Sequence, residues 1–157
     1  MPRTALLAMD LKAGHLARTP ADYLPYAVGA IETARAAGVP VIHVALRLRP
    51  GHAGAHPRNK IFGALPHHRY TAGDPDAAIH PDVFPADGEI VVHKNRVSAF
   101  AGNDLGQILA AQGVEHLRLR AHVEIMRDYR NRGTLRTRTW QVATLDRPDL
   151  LRALTRG

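Results

Sequence analysis

Cysteine is absent from all 157 residues. That absence excludes disulfides, thiolate zinc ligands and a cysteine nucleophile, so redox and thiol mechanisms are closed to this chain. Long apolar runs are missing as well. No segment approaches the roughly 20 consecutive apolar residues that cross a bilayer, and the N-terminus lacks a basic stretch leading into such a run. The chain therefore reads as soluble and cytoplasmic, with no membrane partner. Internal repeats and low-complexity segments are also lacking. What is present is 45% hydrophobic content, enough for one domain over residues 1–157 to bury a core without disulfide or metal staples.

The net charge is +7, and its distribution says more than its size. Residues 118–157 hold ten arginines against four acids (Glu124, Asp128, Asp146, Asp149), a surplus of six, whereas residues 1–117 are nearly balanced. An Arg-rich segment can displace counterions from phosphates. This one has only Tyr129 and Trp140 as aromatics and carries no recognised nucleic-acid motif, so a solvated face explains it and nucleic acid is not an expected partner. Residues 118–157 are atypical of the rest of the domain.

Residues 4–9 form an apolar run that delivers Asp10 to its end, as a buried parallel strand does. Pro20–Ala37 reads as an amphipathic helix with Leu24, Ala27, Val28, Ile31 and Ala34 on one stripe and Gly38 as its stop. Val39–Leu46 is the second strand, which completes a βαβ unit and implies a parallel sheet. Residues 47–80, rich in Pro, Gly and His, predict a long loop that walls part of a site. Glu89–His93 is the next strand, ending at Lys94. A helix follows from Asn103 or Asp104 to Gln112, with Gly113 as its stop.

The last quarter changes character. His116–Val123 alternates apolar and polar residues, which suits a half-exposed strand, and burying Arg118 and Arg120 unpaired would be costly. The expectation is an outward or edge position. Helices at 124–132 and 146–154 and a strand at 134–140 complete the reading. The predicted fold is a three-layer α/β domain: a Rossmann-like open parallel sheet with helices on both faces, the Asp10 strand near its centre and Lys94 at the end of a neighbouring strand.

Ligands in open α/β sheets bind outside the carboxyl ends of the strands, where both Asp10 and Lys94 fall. On position alone, a strand-end Asp is as readily a turn residue and a lone Lys a solvated one. The ordered segments Ala5–Asp10, Ala34–His43, Arg49–His52 with Pro57–Asn59, Ile79–Pro81 and Lys94–Phe100 are together more specific. In this order they resemble the isochorismatase-like cysteine hydrolases over about residues 4–117. The resemblance implies that Asp10 is the acid/base carboxylate and Lys94 its basic partner, which stabilises developing negative charge. It also implies a homo-oligomer acting on small amides or on isochorismate-type vinyl ethers, with a small molecule as ligand.

The family's third catalytic member is missing. Where the family places a Gly-rich loop and then a cysteine, this chain runs from His116–Ala121 into His122–Met126 and Arg127–Gly133. His122 stands near the nucleophile's place but several residues early, and reads as a strand-to-helix junction residue without a nucleophilic role. A shifted reading frame in GC-rich DNA yields Arg-rich protein, so another frame past codon 117 encoding that loop and cysteine would mark the tail as a decay product. The expectation is a family chain without cysteine-dependent amidase activity, a pseudoenzyme. Two alternatives stand beside it: a vinyl-ether hydrolase using Asp10 as general acid, and a non-catalytic binding protein.

Position 12 departs from the family too, with Lys12 where Gln is common, and a lysine there could pair with Asp10. His52, His56, His67 and His68 read as solvated loop histidines. Neither a metal nor a cofactor is expected, since the nicotinamidase-type Asp with two closely following His is absent.

Overall fold

The computed structural model describes residues 3–120 and 141–144. Five parallel strands form one sheet in the order β3-β2-β1-β4-β5: β1 Arg3–Met9, β2 Val41–Leu46, β3 Ile90–Lys94, β4 Val114–Arg120 and β5 Gln141–Thr144. Among the described residues three α-helices lie between strands: α1 Ala13–Leu16, α2 Tyr23–Ala36 and α3 Leu105–Ala111. β1 occupies the centre, as its continuous burial from Ala5 to Met9 requires.

Alternation along β1 divides the core into two layers. Leu6 and Ala8 pack with Ala27, Ile31 and Ala34 of α2, while Ala5, Leu7 and Met9 pack with Leu105 and Leu109 of α3. The sheet is thus covered on both faces, as the sequence predicts. α2 ends where Gly38 takes a positive φ of 65°, a conformation that costs glycine little. Arg35 of α2 forks onto both Glu89 carboxylate oxygens at 2.8 Å, and buried His43 of β2 meets the same carboxylate at 3.0 Å. This network ties the helix to the strand entry and holds Glu89 down at about 2, chiefly through the Arg35 hydrogen bond.

The structure corrects the placement of β4. It lies inside the sheet, paired to β1 with Leu6 opposite Arg118 and Ala8 opposite Arg120, and to β5 on its other side. The main-chain ladder forms whatever the side chains are, and Val114 and Leu117 supply buried apolar anchors on the α3 face. The fifth strand is described over Gln141–Thr144. The sequence-predicted strand at 134–140, the helices at 124–132 and 146–154, and His122 fall outside the described residues. Among the described residues no helix is long and apolar enough to cross a membrane.

Candidate functional site

Two strand ends and the long loop build the site. β1 delivers Asp10 one residue past Met9, with its backbone N–H donating to Val44 O at 3.0 Å. Asp10 then takes a positive φ of 56°, a left-handed conformation in which Asp is enriched among non-glycine residues. β3 ends at Lys94, in register with Leu46 of β2. The sequence expectation put Lys94 on a strand beside β1, but β2 intervenes. The long Lys94 side chain bridges that gap of two strand spacings, about 10 Å. Its ammonium donates to Asp10 Oδ2 at 2.7 Å and to Val97 O at 3.0 Å. Both side chains are 2% exposed, so the structure brings the two candidate residues together as a buried ion pair.

A cavity of about 300 Å³ opens over this pair. Its apolar wall comes largely from the 47–80 loop, through Ile61, Phe62 and Leu65, with Tyr70 beside them. Phe62 packs on Leu46 and Leu48, which anchors the loop to the end of β2. The loop is shaped by local bonds. Asn59 Oδ1 accepts from the N–H groups of Ile61 and Phe62, and Asp74 Oδ2 accepts from Tyr70 N.

Lys12 is the residue the sequence left least explained. It forms an isolated bridge with Ile79, and Ala13 N donates to Ala78 O, so this turn is pinned against the loop's far end. The side chain is 1% exposed and lines the cavity. Lys12 makes no hydrogen bond to Asp10, whose Oδ2 accepts from Lys94, although the Asp10 charge still acts on it. Lys12 Nζ has no hydrogen-bond partner and sits 3.9 Å from the centroid of the Tyr70 ring. Burial lowers its pKa to about 8, against the opposing pull of Asp10.

The loop histidines divide. His56, His67 and His68 are exposed, as expected, but His52 is buried and its Nε2 donates to Arg69 O at 2.7 Å. His52 is thus a loop staple, which composition could not distinguish from its solvated neighbours. Among the described residues no three His, Cys, Asp or Glu side chains cluster in a way that could hold a metal ion.

Comparison with known proteins places this chain in a family. The Isochorismatase domain family matches residues 4–119. N-carbamoylsarcosine amidase of an Arthrobacter species is 35% identical over 88 residues, covering 55% of this chain and 33% of that protein. Maleamate amidohydrolase of Pseudomonas putida is 32% identical over 120 residues, covering 72% of this chain and 56% of that protein. The chain therefore spans between about a third and just over half of these relatives' lengths. Among solved structures, a cysteine hydrolase from Pseudomonas syringae pv. phaseolicola superposes with a TM-score of 0.72 at 22% identity, covering 94% of this chain and 75% of that one. An isochorismatase-like hydrolase from Alkaliphilus metalliredigens gives 0.71 at 19% identity, covering 97% and 88%. These likenesses show the fold, and the match across residues 4–119 shows the lineage: the chain belongs to the isochorismatase family.

Proposed function

We propose that this chain is a small-molecule-binding member of its family that lacks thiol-dependent amide hydrolysis. One observation carries the reading: a buried Asp10–Lys94 pair under a cavity, in a sequence with no cysteine. In thiol-dependent amide cleavage a nucleophile bonds to the carbonyl carbon, a carboxylate moves its proton to the leaving nitrogen, and an ammonium offsets the growing negative charge. Asp10 and Lys94 are suited to the second and third tasks. No thiol is available for the first.

The thiol-independent alternative, proton donation by Asp10 to a vinyl ether, asks this carboxyl to carry a proton. Asp10 Oδ2 instead accepts a hydrogen bond from the Lys94 ammonium at 2.7 Å, with Lys12 buried nearby, an arrangement suited to a hydrogen-bond acceptor rather than to a proton donor. Both readings are tested in one set of assays: ammonia release from maleamate and N-carbamoylsarcosine, and pyruvate release from isochorismate. The expected result is no product above the blank in any of them. Pyruvate formation lost in an Asp10→Asn variant would establish the vinyl-ether chemistry, and ammonia formation lost in that variant would overturn the proposal.

A further inference from the structure

A buried ammonium without an acceptor is costly, and the structure holds one at the edge of a cavity. Lys12 is 1% exposed, its Nζ has no hydrogen-bond partner, and it sits over the face of Tyr70. A cation over an aromatic face recovers only part of the hydration that burial removes. A ligand oxygen carrying negative charge would supply what is missing. Cations outnumber acids in the cavity's lining: one carboxylate, Asp10, stands against three cations, Lys12, Lys94 and Arg96. Lys94 is already committed to Asp10 and to Val97 O, and Arg96 is exposed to water, with its Nη1 on the neighbouring Asn95. Lys12 is the lining cation whose donors are unused.

We propose that the cavity binds a small organic carboxylate, with Lys12 Nζ as the anchor for its charged head and Ile61, Phe62 and Leu65 around its hydrocarbon body. This rests on the ligand-binding reading above and names the ligand class. The apolar wall favours a carboxylate with a compact carbon skeleton over a bare inorganic anion. The carboxylate accepts from Lys12 as the amine swings off the Tyr70 ring, so that the orphaned donor and the ligand charge satisfy each other.

Binding is also linked to protons. Lys12 is depressed to about 8 by burial and by the cations Lys94 and Arg69, against the pull of Asp10 and Asp74, with the Tyr70 ring as its other close neighbour. A bound carboxylate adds a further negative charge and raises Lys12 again, so the complex takes up protons near pH 8 and weakens as pH rises further.

The test uses titration calorimetry of the full chain with benzoate and its neutral isostere benzamide, for the unaltered protein and for Lys12→Gln and Lys60→Gln. Lys60 is exposed and serves as the control for charge alone. Benzoate should bind tighter than benzamide by roughly tenfold or more, the worth of one charge-assisted hydrogen bond. Lys12→Gln should abolish that preference while keeping benzamide affinity, and Lys60→Gln should change neither. Near pH 8, titrations in buffers of different ionisation enthalpy should show proton uptake with benzoate and none with benzamide. If Lys12→Gln fails to fold, the preference and the proton uptake of the unaltered protein decide the matter. Equal binding of both probes without proton uptake overturns the Lys12 anchor and leaves the ligand-binding reading standing. A preference that survives Lys12→Gln also overturns the anchor, and binding of neither probe overturns both readings.

Discussion

Replacing Lys94 with methionine removes the partner of a carboxylate that is itself 2% exposed on its side chain. Asp10 then keeps a buried charge with no ammonium within hydrogen-bond reach, because Lys12 makes no bond to it. Breaking a buried pair from one side costs about 3–5 kcal/mol, and the lost bond to Val97 O adds about 1 kcal/mol. That is a large part of the roughly 5–15 kcal/mol by which a domain is stable, and it lowers Tm by about 10 °C. Asp10→Asn alone strands the Lys94 ammonium in the same way. The double variant Asp10→Asn with Lys94→Met leaves no orphaned charge, so its loss should fall well short of the two single losses combined, by about 2–3 kcal/mol. Urea denaturation of the four proteins, with the slope compared among them, measures this coupling. A Lys94→Met loss below about 1 kcal/mol, or strict additivity across the cycle, would refute the assignment of a buried ion pair.

The other predictions concern parts of the fold that support the site. Glu89, held at about 2 against an ordinary 4.5, contributes stability that is fully present above pH 4.5 and is lost as pH falls toward 2. Because Arg35 is exposed and solvent screens the pair, the contribution is discounted to about 2 kcal/mol, and Glu89→Gln should flatten the acid limb of a urea-stability profile over that range. Gly63→Ala would bring a Cβ within 2.3 Å of Pro57 O and 2.6 Å of Asn59 O. Both neighbours are backbone in the loop that walls the cavity, so a loss of about 1–3 kcal/mol is expected in thermal melts. Gly29→Ala, in the middle of α2 with nothing within 4 Å of the new Cβ, should instead stabilise by about 0.5–1 kcal/mol. Amides of residues 115–119, on a strand paired from both sides, should exchange as slowly as those of residues 5–9. Fast exchange there would return β4 to an edge.

The residues whose apolar spacing matched a single structural period were legible before any coordinates. Ala5–Met9 and Val41–Leu46 are buried end to end, and no element other than an interior parallel strand accommodates such runs in this pattern. Asp10 and Lys94 could be paired because chain direction alone puts both at one edge of the sheet. What chain direction could not give was strand order, so the intervening β2 and the long reach of Lys94 were missed. Arg118 and Arg120 misled for a different reason. Side-chain alternation describes exposure, whereas sheet position is set by the main-chain ladder to β1 and β5. The burial of Lys12 and His52 was not legible because it depends on partners distant in sequence: Tyr70 covers Lys12, and Arg69 offers His52 its carbonyl. The available signal was a lysine two residues past a buried strand's terminal aspartate, within an otherwise apolar turn.

The account stands most directly on a steady-state ammonia assay with maleamate, run on the purified chain beside its Asp10→Asn variant. A family pocket without a thiol predicts the same trace from both proteins, indistinguishable from buffer. Sustained ammonia release from the unaltered chain that disappears in Asp10→Asn would contradict it, because Asp10 would then be working with a nucleophile other than cysteine.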